Sequence, residues 1–224
     1  MDNFKVYEGK DFNPFVGFVN SMIISVFSTG LAVYFSSLTA YALTAYEWKL
    51  RKPFFSFIMG VMMIPGQVTL IGFYQMVYKL GFTNNLLMLI LPSIAAPMMV
   101  FFMRQYLQGA LSMEIVQSAR IDGAGEFRIF NQIVLPIMKP AMATQAIFTF
   151  VSSWNRLFEP LVLLTSKDKY TMPVMVSLLK GDIYKTEYGA VYLGLSMTVL
   201  PLIIIYLSLS RYIVSGVALG GVKG

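Results

Sequence analysis

Five long stretches without a charged residue constrain the fold of this chain more than any other feature. These stretches cover positions 12–46, 53–78, 80–103, 140–155 and 188–210. A helix needs about 20 mainly apolar residues to cross the hydrocarbon core of a bilayer. The fourth stretch is short and reaches this length only if the helix continues through Arg156 and Glu159 to Thr165. The pattern predicts an all-α polytopic transmembrane bundle of about five spans, forming a single domain over residues 1–224.

The composition supports insertion in a lipid bilayer and excludes several kinds of chemistry. The chain is 57% hydrophobic and only 12% charged, whereas soluble domains are about one quarter charged. Cysteine and histidine are both absent, which removes the usual ligands and bases of metal and triad sites. The net charge of +6 is spread thinly between apolar runs and does not form a nucleic-acid-binding face. We expect no catalytic residues, no metal and no nucleic acid.

The distribution of lysine and arginine predicts the orientation of the spans. If the spans alternate in direction, nine basic residues lie on one side of the membrane and seven lie on the other. The nine include Arg51, Arg104, Arg120 and Lys139. The first side also carries fewer acids, and basic residues are retained in the cytoplasm. We therefore place loop 104–139 and the carboxyl terminus in the cytoplasm. Five spans then put the amino terminus outside, although no signal peptide precedes it.

The longest connection, 104–139, is too polar to span and too patterned for a passive linker. Its pattern predicts a helix, a turn and a second helix that closes at Leu135-Pro136. Ser112 can cap the first helix, Glu114 suits its positive end, and Gly123 can supply a left-handed residue that ends it. An amphipathic pair lying in the lipid headgroups is the alternative interpretation.

The residues of this loop follow a recognisable motif. The run Gln117-Ser118-Ala119-Arg120-Ile121-Asp122-Gly123-Ala124-Gly125, followed by Ile133-Val134-Leu135-Pro136, resembles the cytoplasmic coupling loop of type I ABC importer permeases. The family's signature is Glu-Ala-Ala, three residues, Gly, nine residues, Ile, one residue, Leu-Pro. The spacing from Gly123 to Pro136 fits it without a gap, while Gln117 and Ser118 depart from its first two positions.

The resemblance extends over nearly the whole chain and is strongest to the sugar-importer branch, the relatives of maltose and multiple-sugar transporters. It rests on segments 64–70, 119–125, 146–150, 153–155 and 220–224. Such permeases usually have six helices, so the resemblance implies that the family's first helix is missing at the amino end, through truncation or a misassigned start. It also implies the plasma membrane of a bacterium as the location.

The resemblance implies that loop 112–136 docks in a cleft of a separate ATPase dimer. The residues assigned to this coupling role are Glu114, Gln117, Ser118, Ala119, Arg120, Asp122, Gly123, Ala124, Gly125 and Pro136. Small side chains would permit tight docking, while Arg120 and Asp122 would make polar contacts at the rim. The chain has no Gly-x-x-x-x-Gly-Lys-Ser/Thr loop, so we expect it to bind no cofactor, with ATP and Mg²⁺ held by the ATPase. Further expected partners are a second permease, which the sugar branch favours as a heterodimer, and an extracytoplasmic solute-binding protein.

Polar side chains in the fourth span suggest a substrate path. Intramembrane charges are costly and usually face a partner or a water-filled route. Trp154 offers an aromatic face to a sugar, and Asn155, Arg156 and Glu159 offer hydrogen bonds. The alternative is that Arg156 and Glu159, three residues apart, neutralise each other on one helix face. Relatives commonly carry an acid where Arg156 stands, so the resemblance does not by itself assign a sugar contact to Arg156.

Three further interpretations stay open from the sequence. Glycerol phosphate or another polar solute is the main alternative to a sugar. A stand-alone secondary carrier belongs to a different class, but it would usually show an internal repeat and its own ion site. A membrane-embedded hydrolase would need a serine with a base or paired acids. In the second span, Gly66 and Gln67 after Pro65 resemble a broken or kinked helix, while ordinary transmembrane packing is the alternative and favoured explanation of Gly and Pro there.

Overall fold

The computed structural model describes residues 13–178 and 188–221, with side chains in the last helix followed only as far as position 208. All regular structure in these residues is helical, which confirms the all-α prediction. The helices are α1 (Pro14–Ala45), α2 (Arg51–Val61), α3 (Gly66–Lys79), α4 (Leu87–Ile90), α5 (Pro97–Ala110), α6 (Met113–Ile121), α7 (Glu126–Ile129), α8 (Leu135–Trp154), α9 (Phe158–Leu163), α10 (Met172–Leu178) and α11 (Tyr188–Gly221). Short 3-10 turns cover Leu91–Ile94 and Lys167–Lys169, and a π-helical turn covers Phe130–Val134.

Three helical segments within the described residues are long and apolar enough to cross a membrane. They are Pro14–Ala45, Leu87–Ala110 and Glu126–Trp154. The pair α2 and α3, broken between Val61 and Gly66, makes a fourth span if it is taken as one. The bend of 95° at this break favours the broken helix near Pro65 over ordinary packing of a continuous one. In the last helix, Gly194–Ser208 is apolar but shorter. The count of five spans stays a prediction.

Two spans lie elsewhere along the chain than the charge pattern predicts. The third continues through Arg104 to Ala110, and the Arg104 guanidinium lies 4.2 Å from the ring centre of Phe55, within the range of a cation–π interaction. The fourth begins at Glu126 and passes through Pro136, so the predicted helix end at Leu135-Pro136 is wrong. The π-helical turn just before this proline changes the local hydrogen bonding, and the helix continues.

The start of α1 follows from its first residues. Asn13 accepts hydrogen bonds through Oδ1 from the backbone N–H groups of Phe15 and Val16, at 3.1 and 3.3 Å. Pro14 is the first helical residue, where the missing N–H has no intrahelical partner to lose. The 32 residues of α1 rise roughly 48 Å, which exceeds the thickness of a hydrocarbon core.

The described residues divide into two compact units, each assembled from separate parts of the chain. The first unit comprises described residues of 1–29, 67–92 and 149–208. Asparagines fix its irregular connections: Nδ2 of Asn20 donates to the carbonyls of Asp168 and Tyr170. Asn84 donates from Nδ2 to Ser166 Oγ at 2.7 Å and accepts from Lys169 Nζ through its carbonyl at 2.7 Å. The backbone carbonyls of Asp168, Tyr170 and Asn84 thereby gain side-chain donors.

The second unit comprises described residues of 30–66, 93–148 and 209–224. Its core is built from side chains of α1, α5, α6 and the segment Glu126–Trp154. The members that are at most 1% exposed are Ala32, Ala40, Met103, Leu107, Val116, Ile129, Phe130, Val134 and Met138. Since Val116 and Ile129 belong to the predicted coupling loop, that loop is packed on the helices of its own chain. The predicted cytoplasmic position of the carboxyl terminus concerns residues 222–224, which lie outside the described residues.

A close contact at Gly17 gives a test of the first unit. A Cβ atom there would lie 2.7 Å from Met175 Sδ and 3.3 Å from the Cα and N atoms of Met172. The backbone of Met172 is itself fixed, because its N–H donates to Ser21 Oγ at 2.8 Å. We expect Gly17→Ala to lower the free energy of unfolding by about 1 kcal/mol, measured by thermal unfolding of the purified chain in detergent.

Gly30 is the matched control on the same helix. No atom lies within 4 Å of a Cβ at this position, so Gly30→Ala should stabilise the helix by about 0.5 kcal/mol or more. An unchanged melting temperature for Gly17→Ala, or equal effects of the two changes, would contradict the close contact.

Candidate functional site

Helix α6 presents two different faces. Val116 and Ala119 are buried in the core of the second unit. The opposite face is exposed and carries Glu114, Gln117 and Ser118. Ser112 has extended backbone at the start of the helix, but its side chain makes no capping hydrogen bond, so this part of the prediction is wrong. The helix is therefore anchored on one side and open to a partner on the other.

Gly123 ends α6 in the predicted way. Its φ angle is +79°, in the left-handed region that favours glycine. The N–H of Gly123 donates to the Arg120 carbonyl and the N–H of Ala124 donates to the Ala119 carbonyl, both at 3.0 Å. This pair of bonds is a Schellman motif, which satisfies two carbonyls at the helix end. The chain then turns at Gly125 and enters α7.

The carboxylate of Glu126, the first residue after this turn, collects three donors. Arg120 Nε donates to Glu126 Oε1 at 2.6 Å. The hydroxyls of Tyr46 and Tyr41 donate to Glu126 Oε2 at 2.5 and 3.0 Å. Arg120 also places its guanidinium 5.2 Å from the ring centre of Tyr46, within the range of a cation–π interaction. The cluster joins the end of α6, the start of α7 and the end of α1.

The cluster changes the acid–base properties of its members. The hydrogen bond to Glu126 raises the pKa of the Arg120 guanidinium above its ordinary value. Burial, followed by the hydrogen bond that the hydroxyl donates to Glu126, raises the pKa of Tyr46. Both shifts favour the protonated donors. The cluster therefore holds one carboxylate between one guanidinium and two neutral phenols.

A pocket of about 460 Å³ opens beside this cluster. It is lined by Thr44, Ala45, Tyr46, Glu47, Arg51, Met113, Gln117, Arg120 and Glu126. Gln117 on its wall is the position at which the family motif carries glutamate. The loop thus borders an open, charged space on one side of α6.

The structure sorts the predicted coupling residues into an outer and an inner set. The outer, exposed set is Glu114, Gln117, Ser118, Asp122, Gly123, Gly125 and Pro136. Ala119 is buried, Ala124 is half-buried, and Arg120 has an internal partner in Glu126. The small side chain of Ala119 serves packing within the chain, and Arg120 is not free at the outer surface. Contacts of the outer set with an ATPase stay a prediction.

Trp154 of the predicted substrate path is a packed residue in this structure. Its ring is 1% exposed, stacks on Phe150 at 5.9 Å and meets Phe18 edge-on at 5.5 Å. The indole Nε1–H donates to the Thr198 carbonyl at 3.0 Å. Because the ring is buried and its polar atom has a partner, contact with a passing solute would need movement of this ring, and that contact stays a prediction.

The other three path residues follow the end of α8. Asn155 is exposed, and Arg156 lies in the connection before α9. Arg156 Nε and Glu159 Oε1 are 3.9 Å apart, at the limit of an ion pair, with side chains 30% and 39% exposed. The expectation that both stand on one helix is wrong, because α8 ends at Trp154 and Glu159 belongs to α9. These three side chains are accessible for hydrogen bonding.

Sequence reasoning missed three members of the Glu126 cluster, namely Glu126, Tyr41 and Tyr46. The tyrosines stand at the end of an apolar stretch, where aromatic residues usually mark a membrane interface. The only available signal is the opposite charge of Arg120 and Glu126 across a glycine turn. Nothing in the sequence indicates that the two tyrosines, 80 and 85 positions away from Glu126, reach its carboxylate.

Comparison with known proteins identifies the family. Residues 28–219 match the family described as binding-protein-dependent transport system inner membrane component. The chain belongs to this family. The permease is also 40% identical to the arabinooligosaccharides transport system permease protein AraQ of Halalkalibacterium halodurans, over 92% of this chain and 74% of that protein. It is 34% identical to the melibiose/raffinose/stachyose import permease protein MelC of Bacillus subtilis, over 92% of this chain and 75% of that protein.

A solved structure has the same fold. The permease superposes with a TM-score of 0.78 on a chain of a bacterial ABC transporter involved in the import of the acidic polysaccharide alginate. The superposition covers 89% of this chain and 75% of the other, with 24% identical residues. The family and the two permease relatives, with which this fold agrees, identify the chain as a transmembrane permease subunit of an ABC importer.

The left-handed turn gives a second prediction. A side chain at Gly123 meets no atom within 4 Å, so Gly123→Ala should act through backbone strain alone and lower the free energy of unfolding by about 1 kcal/mol. The measurement is thermal unfolding of the purified permease in detergent.

The control is Gly109→Ala in α5, where a Cβ also meets no atom within 4 Å and φ is not positive. This change should stabilise the helix by about 0.5 kcal/mol or more. Stabilisation by both changes would contradict the left-handed conformation of Gly123.

Proposed function

We propose that this permease pairs with a second, different permease to form the path of a sugar or oligosaccharide across a bacterial plasma membrane. An extracytoplasmic binding protein delivers the solute, and a separate ABC ATPase dimer, which holds ATP and Mg²⁺, drives its import. The observation that carries the proposal is the 40% identity with an arabinooligosaccharide permease over 92% of this chain. A relative named for melibiose, raffinose and stachyose supports the same class of solute.

The exposed part of the loop fits the docking of an ATPase on the cytoplasmic side. Ile121 and Phe127 flank the Gly123 turn and are 86% and 71% exposed, although both are large apolar side chains on a polar loop. Large exposed apolar patches that are rimmed by polar residues mark protein interaction sites, and these two side chains would form part of such a patch. Gln117, Ser118 and Asp122 supply the surrounding polar surface. The buried Val116 and Ala119 hold this surface in place from below.

Docking can be tested by removing the two apolar side chains. We expect Ile121→Ala and Phe127→Ala each to weaken binding of the ATPase about tenfold or more, because a central apolar anchor contributes about 2 kcal/mol. The measurement is the dissociation constant of purified ATPase from the permease pair reconstituted in nanodiscs. Co-purification of the ATPase also distinguishes an importer from a stand-alone carrier.

Met63 provides the control, since it is 84% exposed in the same unit but lies outside loop 112–136. Met63→Ala should leave ATPase binding unchanged. If the loop variants and the Met63 variant bind the ATPase equally well, the docking surface lies elsewhere on the permease.

The accessible residues after α8 are proposed to contact the solute. The Asn155 side chain is exposed, and its amide can both donate and accept hydrogen bonds, as sugar hydroxyls require. Arg156 and Glu159 add a donor and an acceptor, since their own contact is long. Trp154 would hold the end of α8 in position through its packing against Phe18 and Phe150.

Uptake assays test both the path and the class of solute. We expect arabinooligosaccharide uptake by proteoliposomes containing the full transporter to fall about fivefold or more in Asn155→Ala, because one hydrogen bond contributes about 1 kcal/mol. ATP hydrolysis should be retained. Raffinose and glycerol 3-phosphate are tested in parallel. Uptake of glycerol 3-phosphate alone would reject the sugar in favour of the alternative solute, and normal uptake by Asn155→Ala would exclude this residue from the path.

A further inference from the structure

The carboxylate of Glu126 connects three segments of the permease that are far apart in the sequence. Its donors are Tyr41 in α1, Tyr46 just after α1, and Arg120 in the last turn of α6. Glu126 itself begins the segment Glu126–Trp154, which is long and apolar enough to span. One side chain thus connects the exposed helix of the loop to two spanning helices.

The cluster is rigid on the side of the spanning helices. Tyr41 is 2% exposed and stacks on Phe130 at 5.8 Å, and Phe130 is itself 1% exposed. Tyr46 meets Tyr41 edge-on at 5.7 Å. The phenol hydroxyls are therefore held in fixed positions by packing.

The end of α6 is held by polar contacts as well as by the packing of Ala119. Arg120 and Glu126 have side chains that are 34% and 42% exposed, and both line the pocket of about 460 Å³ beside α6. Hydrogen bonds to charged groups are shorter and stronger than neutral ones, and linked bonds strengthen one another. The polar cluster therefore adds a second connection between the end of α6 and the spanning helices, beside the packing of Val116 and Ala119 in the core.

We infer that the Arg120–Glu126–Tyr46–Tyr41 cluster is a joint that transmits movement of the ATPase-docking helix α6 to the spanning helices α1 and Glu126–Trp154. The inference rests on the proposed function, because it requires an ATPase that moves α6. The four residues are positioning residues: they contact neither solute nor nucleotide, and they act through the helices that they connect. Weakening the joint should let α6 move without the spanning helices, so that ATP is hydrolysed without import.

The test measures how much solute is imported per ATP hydrolysed. Complexes of the permease pair with the ATPase are reconstituted in proteoliposomes with binding protein and arabinooligosaccharide as the probe. We expect Glu126→Gln to lower the ratio of uptake to hydrolysis about tenfold, since it removes the charge from three hydrogen bonds. ATPase binding should be unchanged. The double variant Arg120→Glu with Glu126→Arg exchanges the two charges and should restore part of the ratio of uptake to hydrolysis. The tyrosine hydroxyls can accept hydrogen bonds from the arginine as well as donate them.

Tyrosine variants provide a milder test with a matched control. Tyr46→Phe and Tyr41→Phe each remove one hydroxyl from the joint, and we expect a twofold to fivefold lower ratio, because the carboxylate keeps its two other donors. Tyr106→Phe is the control, because its hydroxyl donates to the Ile137 carbonyl at 3.3 Å in the same unit but outside the joint. It should leave the ratio unchanged. If the Glu126→Gln complex fails to assemble, the two tyrosine variants still test whether the cluster transmits movement.

The outcomes separate the joint from the proposed function. If the unmodified complex binds no ATPase or imports no solute, the proposed function fails, and the joint fails with it. If the unmodified complex couples ATP hydrolysis to import, and the Glu126 and Tyr46 variants keep the same ratio of uptake to hydrolysis, only the inference about the joint is overturned. Loss of ATPase binding in Tyr46→Phe would also overturn it, since the cluster would then form part of the docking surface.

Discussion

The permease depends on one constraint: hydrocarbon offers no hydrogen bonds, so every backbone group within the bilayer must find its partner inside the protein. Helices satisfy this requirement along their length, and the described regular structure is helical throughout. The requirement becomes difficult where helices begin or break. There, side chains supply the missing partners, as Asn13 does at the start of α1 and Asn84 does for the connection 164–169.

The coupling loop shows how a surface element becomes part of the membrane domain. Its outer face carries exposed residues such as Ile121 and Phe127, whereas Val116 and Ile129 are fully buried among the spanning helices. The second arm is not a separate short helix, because it continues without interruption to Trp154. A force applied to the outer face therefore reaches a helix that spans the bilayer within one residue of the turn. The ionic cluster at Glu126 adds a second connection, to α1.

Much of this architecture is predictable from local sequence. The features that the sequence did not predict share one cause, which is their dependence on contacts made elsewhere in the fold. Apolar stretches locate the spans, and Gly123 predicts its own left-handed turn, because both depend on neighbours in the chain. The start of the fourth span at Glu126 was missed because a proline at position 136 normally ends a helix, and the π-helical turn before it depends on hydrogen bonds that composition does not reveal. The contacts of Tyr41 and Tyr46 with Glu126 join residues 80 or more positions apart. The burial of Trp154 depends likewise on Phe18. Tertiary contacts of this kind cannot be obtained from one sequence.

The π-helical turn at Phe130–Val134 has a consequence for how the two ends of one helix are oriented. Such a turn accommodates one residue more than a regular α-helical turn, and one residue corresponds to a rotation of about 100° around the helix axis. The extra residue thereby rotates the side chains before the turn, including Glu126, around the helix axis relative to those of α8. The side chains before the turn can therefore face the neighbours of the loop, and those after it can face the neighbours of the span. The two orientations are independent, although one continuous helix carries both.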